Sequence, residues 1–444
     1  MKKIVISFLS LILGAVLFAG CRSIPPPAGS GIPSGQSSPP PTTTQSQSPL
    51  SSAAGTPNST DFAAVGLNAA IGYGTNATDW TLVTPPSSLN AAASLQGVAF
   101  DPTNISDVLA VGYIPSGGNG VFLESESDGQ SGSWTVGNSN SGLTIQDPKC
   151  SSTSSTNFPA QLYGDAVFSG TAVAVGGNYT PSSPCTGVNN YPILAVSTSN
   201  NANLPYNGWQ IVSTGILGLT SGTILRGVSF EENTSNAFPA ASPYVAAVGD
   251  NGTILIGDGT SGPTALTDPS NWTIDKTSNA TLDTLNSVAI GSVGTTLEGI
   301  AVGDNGDVYM NDNILTNTTW TKVTLPSNIT PENFEGVYFI AGGLGGQSAA
   351  VVVGSEGEIF TISPCCTPNS TPATGFTPVP SSSIKLNANV SSFSLLGVWS
   401  GSGQSGSIVL ASGYASTSSG ITSLLLESFN SGSTWATVPI SGSP

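Results

Sequence analysis

The feature that most constrains the fold is a phrase that the sequence contains twice in nearly the same letters. Residues 246–255 read Ala-Ala-Val-Gly-Asp-Asn-Gly-Thr-Ile-Leu, and residues 299–308 read Gly-Ile-Ala-Val-Gly-Asp-Asn-Gly-Asp-Val. In each copy an apolar run enters a Val-Gly-Asp-Asn-Gly corner and a second apolar run leaves it. Asn-Gly between apolar runs is typical of a type I′ hairpin, whose two central residues need positive φ. The phrase therefore predicts two antiparallel strands joined by a tight turn.

Weaker copies of the phrase recur from residue 61 onward as part of a longer repeat. Its opening strand has the pattern Leu-x-Gly-Val-x-Phe, its second strand ends in Val-Gly, and its last strand carries an aromatic residue. The opening strands are residues 95–100, 162–167, 225–230, 285–290, 334–339 and 395–399. The Val-Gly glycines are Gly66, Gly112, Gly176, Gly249, Gly303 and Gly354, with Gly413 as a degenerate copy. The closing aromatics are Trp80, Trp134, Trp209, Trp272, Trp320, Phe376 and Trp435.

Repeats of this size, each with four strands, are typical of a β-propeller. We therefore predict an all-β fold with a single propeller of seven blades over residues 61–444. The first repeat lacks an opening strand in the sequence. Either the first blade is incomplete, with three strands, or residues 50–60 supply the fourth strand.

Composition removes one residue type that is common in catalytic sites. The chain has no histidine, which is the commonest general base and a common metal ligand. Its serines therefore cannot form an ordinary Ser-His-Asp triad. No lysine stands in a Ser-x-x-Lys motif. We predict that the protein is not an enzyme and holds no metal or cofactor.

The chain is acidic and carries few charges of either sign. Lys plus Arg total 8 against 25 for Asp plus Glu, and only 7% of residues are charged. Such a surface lacks the clustered bases that nucleic acids require, so we expect no nucleic-acid partner. A chain with so few bases would also avoid becoming a dense polycation in acid. The low charge reflects either an acidic external medium or a lineage that favours Ser/Thr/Asn-rich envelope proteins.

Residues 1–20 have the features of a signal peptide. Lys2 and Lys3 precede an apolar run of about 15 residues, which is short for a membrane-spanning helix. The run ends in Leu-Phe-Ala-Gly before Cys21, which resembles the lipobox of bacterial lipoproteins. The resemblance implies cleavage before Cys21 and acylation of that residue, as by palmitate. Arg22 stands where an aspartate would favour the inner membrane, so we expect an outer-membrane lipoprotein.

Residues 21–60 predict a disordered tether rich in Pro, Ser and Thr. The segment contains two runs of three prolines and no acidic residue. With almost no large apolar side chain, it cannot bury a core. The tether would hold the folded domain away from the membrane.

The repeat resembles a known propeller family. Residues 428–435 read Ser-Phe-Asn-Ser-Gly-Ser-Thr-Trp, similar to the Asp-box Ser-x-Asp-x-Gly-x-Thr-Trp, and residues 127–134 are a looser copy. With the Leu-x-Gly-Val-x-Phe and Val-Gly-Asp-Asn-Gly patterns, the chain is similar to the photosystem II stability/assembly factor family and related BNR/Asp-box repeats. The resemblance implies the fold more strongly than a function, because such folds host many activities.

Two activities of that group can be tested on the residues. Sialidases with Asp-boxes hold a substrate carboxylate with three arginines, whereas this chain has only Arg22 and Arg226. The assembly factor is associated with a basic patch, which this chain lacks. The sequence therefore favours neither a sialidase nor a photosynthetic role.

Paired acids are the remaining candidates for chemistry. They are Asp101/Asp107, Glu231/Glu232, Asp304/Asp307 and Glu356/Glu358. Several fall in predicted turns, where acidic side chains bind the local backbone. We interpret the carboxylates of the Val-Gly-Asp-Asn-Gly phrase as incidental to the hairpin, and we expect function where the repeats disagree.

Besides Cys21, the chain has Cys150, Cys185, Cys365 and Cys366. An even number of cysteines in an exported chain indicates disulfides. We predict a bridge between Cys150 and Cys185. Cys365 and Cys366 would then form a vicinal bridge or remain two thiols.

Together these features predict a monomeric, envelope-anchored lipoprotein whose propeller is a non-catalytic protein-binding or assembly platform. Its partner would be an unknown envelope protein or glycan, and the lipid on Cys21 would contact the membrane. The alternative is a carbohydrate-active enzyme or a glycan-binding surface adhesin on the same propeller. Two carboxylates converging in the channel would favour the enzyme. A channel lined by Ser, Thr and backbone would favour the platform.

Overall fold

The structure is a computed structural model that divides into two units, residues 1–44 and residues 45–444. It describes residues 48–57, 60–137, 144–147, 150–154, 160–179, 191–201, 204–212, 217–233, 244–277, 284–293, 296–327, 329–330, 332–340, 349–363, 375–403 and 406–441. The signal peptide, Cys21 and most of the tether lie outside these residues. Within the described ranges no helix is long and apolar enough to cross a membrane.

The described part of the chain is built almost entirely from strands. The first half contains β1 (Leu50–Gly55), β2 (Phe62–Gly66), β3 (Ile71–Gly74), β4 (Trp80–Leu82), β5 (Ser94–Phe100), β6 (Val108–Ile114), β7 (Asn119–Ser125), β8 (Trp134–Val136), β9 (Thr144–Asp147), β10 (Cys150–Ser154), β11 (Gln161–Phe168), β12 (Thr171–Tyr179), β13 (Tyr191–Ser197), β14 (Ser199–Asn201), β15 (Leu204–Asn207) and β16 (Gln210–Ile211). The second half contains β17 (Leu225–Asn233), β18 (Tyr244–Gly249), β19 (Thr253–Asp258), β20 (Trp272–Thr277), β21 (Leu285–Val293), β22 (Thr296–Gly303), β23 (Val308–Asn311), β24 (Thr319–Lys322), β25 (Phe334–Phe339), β26 (Ala350–Gly354), β27 (Ile359–Ile362), β28 (Phe376–Pro378), β29 (Ile384–Lys385), β30 (Val390–Gly403), β31 (Gly406–Thr417), β32 (Gly420–Ser428), β33 (Trp435–Thr437) and β34 (Ile440–Ser441). Short 3-10 helices include Pro263–Thr267, Pro269–Asn271 and Ser381–Ser383.

Successive strands form antiparallel four-stranded meanders, as the repeat predicts. Separate sheets contain β1–β4, β5–β8, β25–β28 and β30–β33, and another combines β11, β12, β13 and β16 with the short β9 and β10. The meanders β17–β20 and β21–β24 join through parallel pairing of β17 with β21 and of β20 with β24. The result is an all-β propeller.

The inner strands close a ring. The first strand of each meander contacts the first strand of the next in the order β1, β5, β11, β17, β21, β25 and β30, and β30 contacts β1. We call these the inner strands. At the outer rim, β34 adds to the first sheet as a parallel partner of β4, with Ile440 opposite Trp80. The two ends of the folded domain therefore meet in one sheet.

The end of the predicted tether needs correction. We placed residues 21–60 in the tether, but residues 50–55 form β1, the inner strand of the first sheet. Leu50, Ala53 and Ala54 are buried in the core. The first sheet is complete because residues 50–60 supply its fourth strand, which was one of our two alternatives. Small apolar residues between serines gave too weak a signal to distinguish this strand from the Ser/Pro-rich segment before it.

The turns of the repeated phrase have the predicted geometry. Asn251 and Gly252 have φ values of 60° and 63°, and Asn305 and Gly306 have 58° and 74°. Positive φ at both central residues confirms the type I′ hairpin. The glycine before each turn has a different role. A Cβ at Gly249 would clash with the carbonyl oxygen of Ile224, so the second strand can approach the inner strand only if this residue is glycine.

The closing aromatics pack between the sheets. Trp80, Trp209, Trp320 and Trp435 are among the largest fully buried side chains. In the Asp-box-like turn of residues 428–435, the amide oxygen of Asn430 accepts a hydrogen bond from the backbone N–H of Thr434 at 2.9 Å. The indole of Trp435 donates to the carbonyl of Gly432 at 2.8 Å. These contacts stabilise the turn locally.

Candidate functional site

The inner strands surround a central cavity of about 630 Å³. Every inner strand contributes to its lining. Five of them, β1, β5, β11, β25 and β30, stand at the end of their sheet order and pair with one strand only. Their second edges carry backbone N–H and C=O groups toward the cavity. The wall combines these main-chain edges with side chains, among them the apolar Phe100, Phe168 and Trp399.

A repeated irregularity places one side chain per inner strand at one end of this cavity. In each inner strand the pairing register shifts at the second residue of the Leu-x-Gly pattern. Such a β-bulge redirects the side chain of the extra residue. The bulge residues are Ser51, Gln96, Tyr163, Arg226, Asn286, Glu335 and Leu396, and all of them line the cavity. We call this set the mouth ring.

Arg226 is held on two sides within the mouth ring. Its Nε donates to Asp250 Oδ1 at 2.9 Å. Its guanidinium carbon lies 5.9 Å from the centre of the Tyr163 ring, in cation–π range. The other carboxylate oxygen of Asp250 accepts from the backbone N–H of Ile224 at 3.0 Å. The turn of the repeated phrase therefore orients the arginine.

Asn286 is fixed in the same way by the second copy of the phrase. Its Nδ2 donates to Asp304 Oδ1 at 2.9 Å and to the carbonyl of Phe334 at 3.1 Å. Our interpretation that the carboxylates of the phrase are incidental is therefore wrong for Asp250 and Asp304. Both accept hydrogen bonds from mouth-ring side chains. The sequence could not show this, because the paired residues lie 18 and 24 positions apart.

Glu335 is the acidic member of the mouth ring. Burial and, to a lesser extent, the nearby Asp304 raise its pKa to about 7, and Arg226 opposes the shift. Among the described residues no ion pair joins Glu335 to Arg226. Asn286 separates the two in ring order. The charge of Arg226 is therefore paired with Asp250, and Glu335 titrates one ring position beyond Asn286.

Asp165 is a second acid of the cavity wall. It stands where the other Leu-x-Gly-x strands have Val98, Val228, Val288, Val337 and Val398. Neither carboxylate oxygen has a hydrogen-bond partner in another described residue. Burial raises its pKa well above the ordinary range. The carboxyl lies against Gly97 of the neighbouring sheet, where a Cβ would clash with it.

The cavity acids do not form a catalytic pair. Asp165, Glu231 and Glu335 line the cavity at different levels of their strands. No second acid contributes to the pKa shift of Asp165, and Asp165 does not contribute to that of Glu335. Glu231 accepts a hydrogen bond from Ser292. Among the described residues, two converging carboxylates are therefore not found in the channel.

The acid pairs singled out in the sequence mostly serve the scaffold. Asp101 accepts hydrogen bonds from the backbone N–H groups of Ser169 at 3.1 Å and Gly170 at 2.6 Å, joining two sheets. Asp107 accepts from Asn104 Nδ2 at 2.8 Å.

The acids of two other pairs lie beside charged neighbours. Asp307 forms an ion pair with Lys322. Glu356 and Glu358 lie beside Glu332, whose pKa is raised to about 7 by burial and by these two neighbours. No cluster of three or more metal-ligating side chains occurs in the described ranges.

The predicted cysteine sites fall outside what the structure describes. This holds for Cys21, Cys185, Cys365 and Cys366 and for the side chain of Cys150, whose backbone belongs to β10. The Cys150–Cys185 bridge stays a prediction. The mouth ring itself was missed in the sequence. In the sequence, these residues are visible only as the variable second position of the Leu-x-Gly-Val pattern. The β-bulge in the structure shows that their side chains share one site.

Comparison with known proteins gives weak likenesses in structure. No family model matches the chain, and no curated protein matches it. The structure of YCF48 bound to D1 peptide is 12% identical, with 86% of this chain and 92% of that chain covered and a TM-score of 0.46. YCF48 from Cyanidioschyzon merolae is 14% identical, with coverage of 78% and 85% and a TM-score of 0.44.

A third likeness is to the WD40 repeats of RRP9. They are 9% identical, with coverage of 83% and 88% and a TM-score of 0.48. Because all three TM-scores are below 0.5, the assignment of a propeller rests on the strand pairing and ring contacts described above.

Proposed function

We propose that this chain is an envelope lipoprotein whose propeller is a non-catalytic binding or assembly platform, and that its partner docks on the mouth ring. The observation that carries the proposal is the bulge that repeats in every inner strand. It presents one side chain per strand at the same end of the cavity, and those side chains differ in chemistry. A rigid scaffold that displays variable side chains is the usual design of a binding surface.

The non-catalytic part of the proposal is supported by the distribution of acids. Hydrolysis of a glycosidic bond ordinarily needs two carboxylates about 5–10 Å apart across the sugar. The described cavity acids stand at separate levels, and the chain has no histidine. A carbohydrate-active enzyme is therefore the less favoured alternative.

We further propose a monomeric ring of seven blades with Asp-box-like turns. Each inner strand begins one four-stranded meander, and β17–β20 and β21–β24 count as two blades that share parallel pairing. The addition of β34 to the first sheet supports closure of such a ring within one chain.

Membrane anchoring through Cys21 is a proposal from the sequence pattern alone. Several acyl chains on one residue would give stable attachment. We expect the wild-type chain to sediment with outer membranes and a Cys21→Ser variant to remain in the soluble fraction. Equal sedimentation of the two proteins in detergent-free fractions would contradict the lipid anchor.

The platform is tested by affinity capture from envelope extract with the full chain. Gln96→Glu and Leu396→Glu would place added negative charge in the mouth ring, and Phe429→Glu would serve as a matched control at an exposed position elsewhere. We expect both mouth variants to lose the partner and the control to keep it, with unfolding temperatures unchanged. Retention of the partner by both mouth variants would contradict the proposal.

A further inference from the structure

The rim of the mouth ring carries a row of three stacked side chains. The ring centroids of Tyr113 and Tyr163 lie 5.5 Å apart, with an angle of 51° between the ring planes. The guanidinium carbon of Arg226 lies 5.9 Å from the centroid of the Tyr163 ring. Both tyrosines and the arginine are partly exposed. We call Tyr113, Tyr163 and Arg226 the ledge. Partly exposed aromatic rings beside a cation offer contact area together with charge recognition.

The guanidinium of the ledge has donors to spare. Asp250 takes the Nε hydrogen bond, and the described residues provide no acceptor for the two η nitrogens. The Arg226 side chain is 34% exposed, so these nitrogens can be reached from solvent. An arginine fork with two free donors matches the two oxygens of a carboxylate.

Planar amides surround the ledge. Gln161 Oε1 accepts from the Tyr163 hydroxyl at 2.8 Å and from Asn178 Nδ2 at 2.7 Å. Gln96 and Asn286 flank Tyr163 and Arg226 in the mouth ring. This side of the ring has hydroxyl, amide, phenol and guanidinium groups in succession, and its one aliphatic member, Leu396, lies on the other side. Such a row offers many hydrogen bonds.

We propose that the ledge binds a carboxylate-bearing sugar, such as a uronic acid unit of an acidic glycan. This inference rests on the proposed function and names the partner class of the same site. The sugar carboxylate pairs with the η nitrogens of Arg226, the sugar ring packs against the partly exposed rings of Tyr113 and Tyr163, and its hydroxyls bond the amides.

The charge of the whole protein sets the pH dependence of this site. The chain has a net charge of −17, which opposes an anionic ligand. Glu335, beside the ledge, has a pKa of about 7, whereas a sugar carboxylate titrates near pH ~4. At pH 5.5 Glu335 is mostly neutral while the ligand is still charged. The ledge therefore binds its ligand more tightly at pH 5.5 than at pH 8.

The test is calorimetric titration of the full chain in detergent at pH 5.5. The probes are a tetramer of galacturonic acid, a neutral galactose tetramer and a tetraglutamate peptide. We expect the acidic sugar to bind about tenfold more tightly than either of the others. The neutral tetramer has no carboxylate to pair with Arg226, and tetraglutamate has no sugar ring to pack against the tyrosines. Arg226→Gln should weaken the acidic sugar by about tenfold, and Lys385→Gln, which removes an exposed base elsewhere, should change nothing.

A second variant keeps the test valid if Arg226→Gln unfolds. Tyr113→Ala leaves the Arg226–Asp250 pair intact and should still weaken the acidic sugar. Undiminished binding by either folded variant would overturn the proposal, as would equal or tighter binding of tetraglutamate. If Gln96→Glu loses partner capture while the wild-type chain binds none of the sugars, the platform stands and only the acidic sugar is refuted.

Discussion

At the scale of single residues, Asp165 shows a departure from the repeat that costs stability. Five other inner strands have valine at the equivalent position. Its buried carboxyl oxygens have no partner in another described residue, and an unsatisfied buried polar group costs about 1–3 kcal/mol. Asp165 therefore combines a cost in stability with a position in the wall of the central cavity.

Replacing Asp165→Val should therefore stabilise the protein. We expect the free energy of unfolding at pH 7 to rise by about 1–3 kcal/mol, because an apolar side chain needs no hydrogen bond there. Denaturant unfolding monitored by tryptophan fluorescence measures the change. Asp165→Asn, which keeps the polar shape, is the control and should gain less. A destabilised Asp165→Val would show that the carboxyl has a partner or that its shape is needed.

At the scale of elements, the sequence predicted the hairpins and the meanders but not their shared site. Asn-Gly specifies a type I′ turn locally, so Asn251 and Asn305 could be predicted from neighbours in the chain. The inner strand β1 could not be predicted, because its serines and alanines match the composition of the tether that precedes it. The mouth ring depends on seven bulges brought together by ring closure. Contacts between residues far apart in sequence, such as Asn286 with Asp304, leave no local pattern.

The outer strand β34 gives a prediction about closure. Ile440 and Ser441 pair with β4, and the Ser441 hydroxyl donates to the carbonyl of Trp80 at 2.8 Å. Removing residues 440–444 should lower the unfolding temperature and increase amide hydrogen exchange in β4. Removing residues 442–444 alone is the control and should leave both unchanged. Unaltered exchange in β4 after the longer truncation would contradict a closing role for β34.

At the scale of the whole molecule, buried acids predict a stability that rises in acid. Burial is the first cause of raised pKa values for Asp107 (about 6), Glu124 (about 8) and Glu427 (about 7), as well as for Glu332 and Glu335. Unfolded Asp and Glu titrate near pH ~4, so between pH ~4 and ~8 the folded state binds more protons than the unfolded state. Stability is therefore greatest at the acidic end of this window and falls as pH rises through the folded pKa values.

We expect the unfolding temperature to be higher at pH 5 than at pH 8, which agrees with the acidic medium considered from composition. Differential scanning calorimetry across this range measures it. Glu124 is the most shifted of these acids, and Glu124→Gln can still accept the backbone hydrogen bond from Tyr206. This variant should reduce the difference in unfolding temperature between pH 5 and pH 8. An unfolding temperature that rises from pH 5 to pH 8 would contradict the assignment of raised pKa values.

If a partner meets the propeller at the mouth ring, a photo-crosslinking amino acid placed there lies at the contact. In the full chain within intact envelopes, the photo-crosslinking amino acid is placed at position 96, in the mouth ring, or at position 429, an exposed position outside it. Irradiation should give a covalent adduct at position 96 and none at position 429. An adduct at position 429 with none at position 96 would contradict the claim.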